Sequence, residues 1–189
     1  MANIDHPNGA IPIGTVNGSP WNGKGRVYPV DASNATAIFK GDFVILEDDG
    51  HCAPAPAGGN VLGVCVGVVY DRSVAATEHP GYLPATTAGS IIVVDSPDML
   101  FEIQEDGNMG TAVIGSNGDI VAGAGSTTTG VSAHELDSSD VTTNDGSAAS
   151  AQLRVVGYVD RADNDPTLSN GRWIVMINEH QLNPQQVGI

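Results

Sequence analysis

The chain has 189 residues, a formal charge of −15, a near-normal apolar share and few aromatics. This length suits one domain with an arm or insertion. The charge repels phosphate backbones and anionic lipid, which excludes nucleic-acid binding and a membrane-surface role, and it favours steering toward a basic partner surface.

No stretch is long and apolar enough for a membrane-spanning helix. The first residues, MANIDHPNGAIPIG, lack the basic and apolar regions of a secretory signal. Synthesis in a cytoplasm is therefore expected. Twenty-four glycines and eleven prolines separate short β-branched runs, the pattern of an all-β protein. No window carries a capped helical period.

Residues 1–18 are rich in Gly, Pro and Asn and read as an extended arm. Ser19–Val30 (SPWNGKGRVYPV) stands out. It holds one of two tryptophans, one of four tyrosines and two of the seven basic residues. Pro20 and Asn22-Gly23 form turns, and Pro29 places Arg26–Val30 at a sheet edge or in an unpaired arm. Residues 1–30 thus form an arm and edge segment.

Phe43–Leu46 is a buried strand, and Glu47–Gly50 a turn. Val61–Tyr70 is the most apolar run, and its two glycines predict a bend of the kind found in small closed barrels. A long excursion follows to Ala88. Ile91–Asp95 and Met99–Gln104, separated by Ser96-Pro97-Asp98, are expected to pair as a hairpin. In the second strand Met99, Phe101 and Ile103 alternate with Leu100, Glu102 and Gln104. Gly123–Gly130 (GAGSTTTG) reads as a flexible low-complexity loop. Leu153–Val159 and Trp173–Ile177 are strands. The expected architecture is a small antiparallel β-barrel or sandwich over 31–182, with variable loops at 71–90 and 123–150. The kinked strands favour the barrel. Residues 183–189 form a tail.

Cys52 and Cys65 lie in apolar strand context and are expected to be reduced, buried small residues. His6, His51, His79, His134 and His180 are dispersed, without metal-ligand spacing. The oxygen-rich run Asp160–Asp165 places Asp165 and Gly171 where a helix–loop–helix calcium site needs Gly and Glu, so it reads as a turn. No nucleophile elbow or phosphate loop occurs. The sequence supplies no catalytic, metal or cofactor-binding residue, which is the profile of a structural or binding part.

Several segments together resemble a family of tailed-bacteriophage virion proteins encoded near the major capsid protein. They are Pro20–Tyr28, Gly41-Asp42, Gly63–Val69, Pro97–Asp106, Leu153–Asp165 and Arg172–Leu182. The likeness runs from about residue 19 to 182. It implies a capsid cement, or decoration, protein on the outer surface of the mature head. The implied partners are the major capsid protein and further copies of the chain in a homotrimer.

On that expectation Pro20, Trp21, Asn22, Arg26 and Tyr28 are candidate partner-binding residues. Trp21 and Tyr28 would be anchors, and Arg26 would pair with an acidic group. The competing use of Trp21 and Tyr28 is to cap the protein's own core. Other classes to weigh are a head-fibre or tail component and a virion-associated hydrolase built on acidic loops. The chain shows no fibre-like repeat or coiled-coil stalk.

Overall fold

The computed structural model describes residues 2–70, 79–141 and 151–183. The strands are β1 (Ile11–Thr15), β2 (Arg26–Val30), β3 (Phe43–Leu46), β4 (Cys52–Pro54), β5 (Gly63–Val69), β6 (Gly89–Val94), β7 (Met99–Gln104), β8 (Asn117–Gly118), β9 (Ile120–Ser126), β10 (Val131–Leu136), β11 (Leu153–Tyr158) and β12 (Arg172–Ile177). They form two five-stranded antiparallel sheets and a β9–β10 hairpin. Sheet A has the order β1-β7-β12-β11-β8 and sheet B the order β2-β6-β5-β3-β4.

The all-β class is as read, and the architecture is a sandwich. Among the described residues no sheet closes into a barrel. The glycines of β5 do bend it. A Cβ on Gly63 would stand 2.2 Å from the Val94 carbonyl oxygen, so only glycine permits that approach. A bulge follows between Cys65 and Gly67. The bend curls sheet B until its edge strands β2 and β4 lie near one another, but they do not pair.

The central part of sheet B is buried on both faces. Phe43, Val64 and Val94 point toward sheet A and meet Phe101, Ile103, Leu153, Val155, Trp173 and Val175 in the main core. Val44, Cys65, Ile91 and Val93 point into the concave side, where Ile38, Leu62 and Leu83 cover them. A strand apolar on both faces reads as a continuous run, which is why β5 shows no alternation. Both cysteines are free and buried. Burial pushes each thiol up to about 12, so neither is a nucleophile near neutral pH.

Two expectations need correction. The strands β6 and β7 do not form a hairpin. β6 pairs with β2 and β5, whereas β7 pairs with β1 and β12. Val94 and Phe101 occupy the same core, so the Ser96–Asp98 turn carries the chain across the sandwich instead of back along one sheet.

Gly123–Gly130 is not a flexible loop either. β9 runs through Ser126 and pairs with β10, which buries Ser132, His134 and Leu136. A Cβ on Gly125 would lie 2.4 Å from the ring of Phe39. The composition that resembles a linker is here a strand that admits close neighbours. Of the two variable loops, 71–78 and 142–150 lie outside the described residues.

The N-terminal segment is extended, and it is tied to the domain. Asn3 donates to the carbonyls of Asp165 and Ser169, each at 2.9 Å, and accepts from the Asp165 amide. The His6 amide donates to Gln104 Oε1, and Arg172 donates to Asn8 Oδ1 and the His6 carbonyl. The segment then enters sheet A as β1.

A buried polar cluster holds the β9–β10 hairpin against sheet B. The Phe43 amide donates to His134 Nδ1 at 3.2 Å, so Nε2 carries the proton and faces Asp42 Oδ1 at 3.5 Å. Asp42 Oδ2 accepts the Phe39 amide at 2.7 Å, and the Ser132 hydroxyl bonds the same carboxylate. Desolvation by burial lowers the pKa of His134, against a smaller upward pull from Asp42. Desolvation raises that of Asp42.

Gly125→Ala is expected to cost about 1–3 kcal/mol through overpacking against Phe39, measured as a lower urea midpoint at unchanged slope. A pH effect follows from His134. Its folded-state pKa lies below the ordinary value near 6.5. As pH falls through about 6.5 the unfolded chain takes up the proton first, and stability is lost until the folded imidazole also titrates. Asp42 acts oppositely: between its ordinary range and its raised folded value, falling pH adds stability. His134→Asn keeps an acceptor for the Phe43 amide and removes the imidazole titration. Between about pH 7.5 and 5.5 the wild type should therefore lose thermal stability more steeply than His134→Asn. Parallel curves would contradict this account.

Candidate interaction surface

The five residues singled out in Ser19–Val30 occupy three different settings. Pro20 bridges Gly14 beside β1. The Trp21 indole N–H donates to the Lys24 carbonyl at 3.0 Å, and Asn22 Oδ1 accepts the Lys24 amide at 3.1 Å, closing the turn that Asn22-Gly23 predicted. Trp21 packs partly against the main core. It also lines a groove of about 240 Å³ together with Ile11, Pro12, Val66 and Lys40.

Arg26 and Tyr28 sit on β2, which is an edge strand, as Pro29 indicated. Both reach Asp95 at the end of β6. The Tyr28 hydroxyl donates to Asp95 Oδ2 at 2.6 Å, and an Arg26 guanidinium nitrogen lies 3.2 Å from the same oxygen. Burial, and then the bond to Asp95, raise the Tyr28 pKa. Arg26 thus finds its acidic group within its own sheet, yet its side chain is still 70% exposed. Val27 points the other way, toward Ile92 and Gly67. It is 60% exposed.

The larger exposed surface is the outer face of sheet A. In a two-layer sandwich, outward side chains alternate with the core and are ordinarily polar. Here Glu102 is flanked across the strands by Ile11 and Ile174, and Leu100 by Gly14 and Met176. Two bulges add to this face. Ile13 lies opposite Leu100 and Val156 beside Ile174, and they are 38% and 41% exposed. Six apolar residues from four strands therefore share one face: Ile11, Ile13 and Val156, which are exposed, and Leu100, Ile174 and Met176, which are half-buried.

Three arginines border it, two of them paired with carboxylates. Arg154 faces Met176 in register. Arg161 and Arg172 both pair with Glu102, at 3.2 and 3.5 Å. Three of the seven basic residues thus border one face. Beside them a polar hollow of about 410 Å³ is bounded by Asn3, His6, Asn8 and Asn170.

Sequence reasoning missed this face, although a signal was present. RWIVMI of β12 has apolar residues at both parities after Arg172. Such a strand has something to bury on each side. Asp160–Asp165 forms a turn. Asp163 pairs with Arg161, Asp165 accepts from Thr167, and Asn164 bonds Val159 and Arg172. No protein family, curated protein or solved structure matches the chain.

Tyr28→Phe removes the hydroxyl from Asp95 and leaves that carboxylate with Arg26 alone. The expected cost is about 0.5–1.5 kcal/mol in chemical denaturation.

Proposed function

We propose that the protein is a structural binding module, a decoration protein of a tailed-phage head that docks on the outside of the mature shell and stabilises it. The observation that carries the docking part is the apolar, arginine-rimmed outer face of sheet A. A patch of this kind on an otherwise strongly acidic protein marks a surface meant to be covered. The virion assignment rests on the resemblance of Pro20–Tyr28, Pro97–Asp106 and Arg172–Leu182 to that family.

A protein that binds only the expanded shell stabilises that shell by mass action. Apolar side chains held on a rigid sheet lose little conformational freedom on docking, so more of the burial appears as affinity. Arg154 and Arg161 fit a partner patch that is apolar at its centre and acidic at its rim. The remaining acidic surface repels other acidic neighbours and favours this orientation. Trp21, with its groove beside β1, adjoins the same face through Ile11. It is the residue of Ser19–Val30 best placed to extend the contact.

The test uses purified expanded heads and the full chain. Ile13→Asp with Val156→Asp is expected to leave the melting temperature within a few degrees, because both side chains are exposed. Occupancy on heads should fall about tenfold or more. Undiminished occupancy would overturn the assignment of this face. Failure of the wild type to bind heads would overturn the decoration role.

A further inference from the structure

The chain contains five Asn-Gly pairs: Asn8-Gly9, Asn17-Gly18, Asn22-Gly23, Asn117-Gly118 and Asn170-Gly171. In such a pair the glycine amide nitrogen can attack the asparagine side-chain carbonyl carbon, because glycine puts no Cβ in the path. What separates the five is whether the fold leaves that nitrogen free and gives the ring room to close.

Four pairs are blocked. The Gly18 amide donates to the Thr15 carbonyl at 2.9 Å, and the buried Gly171 amide donates to Glu105 Oε1 at 3.1 Å. Gly118 is a buried residue of β8, in register with Leu153 of β11. Gly9 is also buried. A Cβ on it would stand 2.4 Å from the Gly41 carbonyl oxygen, and Arg172 holds Asn8 Oδ1 at 3.0 Å.

Asn22-Gly23 differs on each count. Both residues are exposed. Among the described residues, nothing beyond its chain neighbours lies within 4 Å of a Cβ placed on Gly23, and the Gly23 amide donates to no protein group. The Lys24 amide donates to Asn22 Oδ1 at 3.1 Å. That oxygen takes up negative charge when its carbon is attacked, and a donor already aimed at it stabilises the charge.

We infer that the Asn22-Gly23 turn is a site of spontaneous deamidation in the folded chain, and that the fold protects the other four pairs. The Gly23 nitrogen gives its proton to solvent base and bonds to Asn22 Cγ. The Cγ–Nδ2 bond breaks, and the nitrogen leaves as ammonia with a proton from solvent. Water then opens the cyclic imide at either carbonyl, so that aspartate or isoaspartate stands at position 22. Each product places a new carboxylate beside Lys24 and Arg26. Isoaspartate also adds a methylene to the main chain, which disturbs the turn whose Lys24 carbonyl accepts the Trp21 indole N–H.

The site is independent of the docking role, and its test needs only the purified chain. The folded protein is aged at about pH 8, where more of the attacking nitrogen is deprotonated than at neutrality, then digested and mapped by mass. The peptide holding Asn22 should convert from amide to acid at least about tenfold faster than peptides holding the other four pairs. In denaturing urea, where those four lose their bonds and packing, the difference should largely disappear. Asn22→Gln should melt within a few degrees of the wild type, since the side chain is exposed, and should lose the fast conversion because a larger ring must close. An unchanged Asn22 in the aged folded chain would overturn the proposal. So would another Asn-Gly pair converting as fast. A preference for Asn22 that persists in urea would also overturn it, since local sequence and not the fold would then set the rate.

Discussion

Val94 and Phe101 lie seven residues apart and meet in one core from opposite sheets. That packing fixes the rest of the fold. It forces the chain through the Ser96–Asp98 turn from sheet B to sheet A. β7 then becomes a template for β1 on one side and β12 on the other. Pairing β6 with β7 would have set their side chains beside one another on a single layer. Crossing places Val64, Val94 and Phe43 face to face with Phe101, Trp173 and Val175, and each fully buried side chain of this size contributes about 1.5–3 kcal/mol. Burial on this scale outweighs the local gain from a short hairpin turn.

The second consequence is that sheet B becomes the central layer. Its other face needs a cover, and irregular backbone around Ile38 and Leu83 supplies it, with these two residues exchanging a pair of hydrogen bonds of 2.9 and 2.8 Å. The cover must in turn be anchored, which is the work of the Asp42–His134–Ser132 cluster. Asp42 caps the Phe39 amide, and His134 accepts from Phe43 on the following strand. Each polar group in the cluster therefore stabilises a backbone position beside the core, and the hairpin that carries His134 is held by the same bonds.

The class of fold was legible in the sequence because apolar, β-branched runs between Gly and Pro clusters have few other uses. Met99–Gln104 shows the limit of that legibility. Its alternation correctly separates Phe101 from Glu102, yet it does not say which strand lies beside it, and Gln104 is buried only because the N-terminal segment crosses it. Gly123–Gly130 was opaque for a different reason. Its composition matches a linker, and only the close approach of Gly123 to the Ala133 carbonyl and of Gly125 to Phe39 explains why side chains are missing there. In Ser19–Val30 the chemistry was readable and the addresses were not. Arg26 does pair with an acid, but Asp95 lies nearly seventy positions away, and spacing along the chain carries no information about it.

Sheet A has the opposite problem to sheet B, and this bears most directly on function. Residues 3–8 cover one end of its outer face, where Asn3, His6 and Asn8 engage Arg172, Gln104 and the 165–169 turn. They stop short of Ile174, Met176 and Val156. A protein selected only for solubility would place polar residues there, since changes on an exposed sheet face cost little stability. Instead Ile11, Ile13 and Val156 stand exposed there, beside the half-buried Leu100, Ile174 and Met176. On the proposed docking role, the arginines at the edge of this face would favour an apolar partner with acidic surroundings. On that proposal edge protection and docking fall to different parts of the same sheet: residues 3–8 cover one end of the outer face, and the bulges of β1 and β11 present Ile13 and Val156 on the rest.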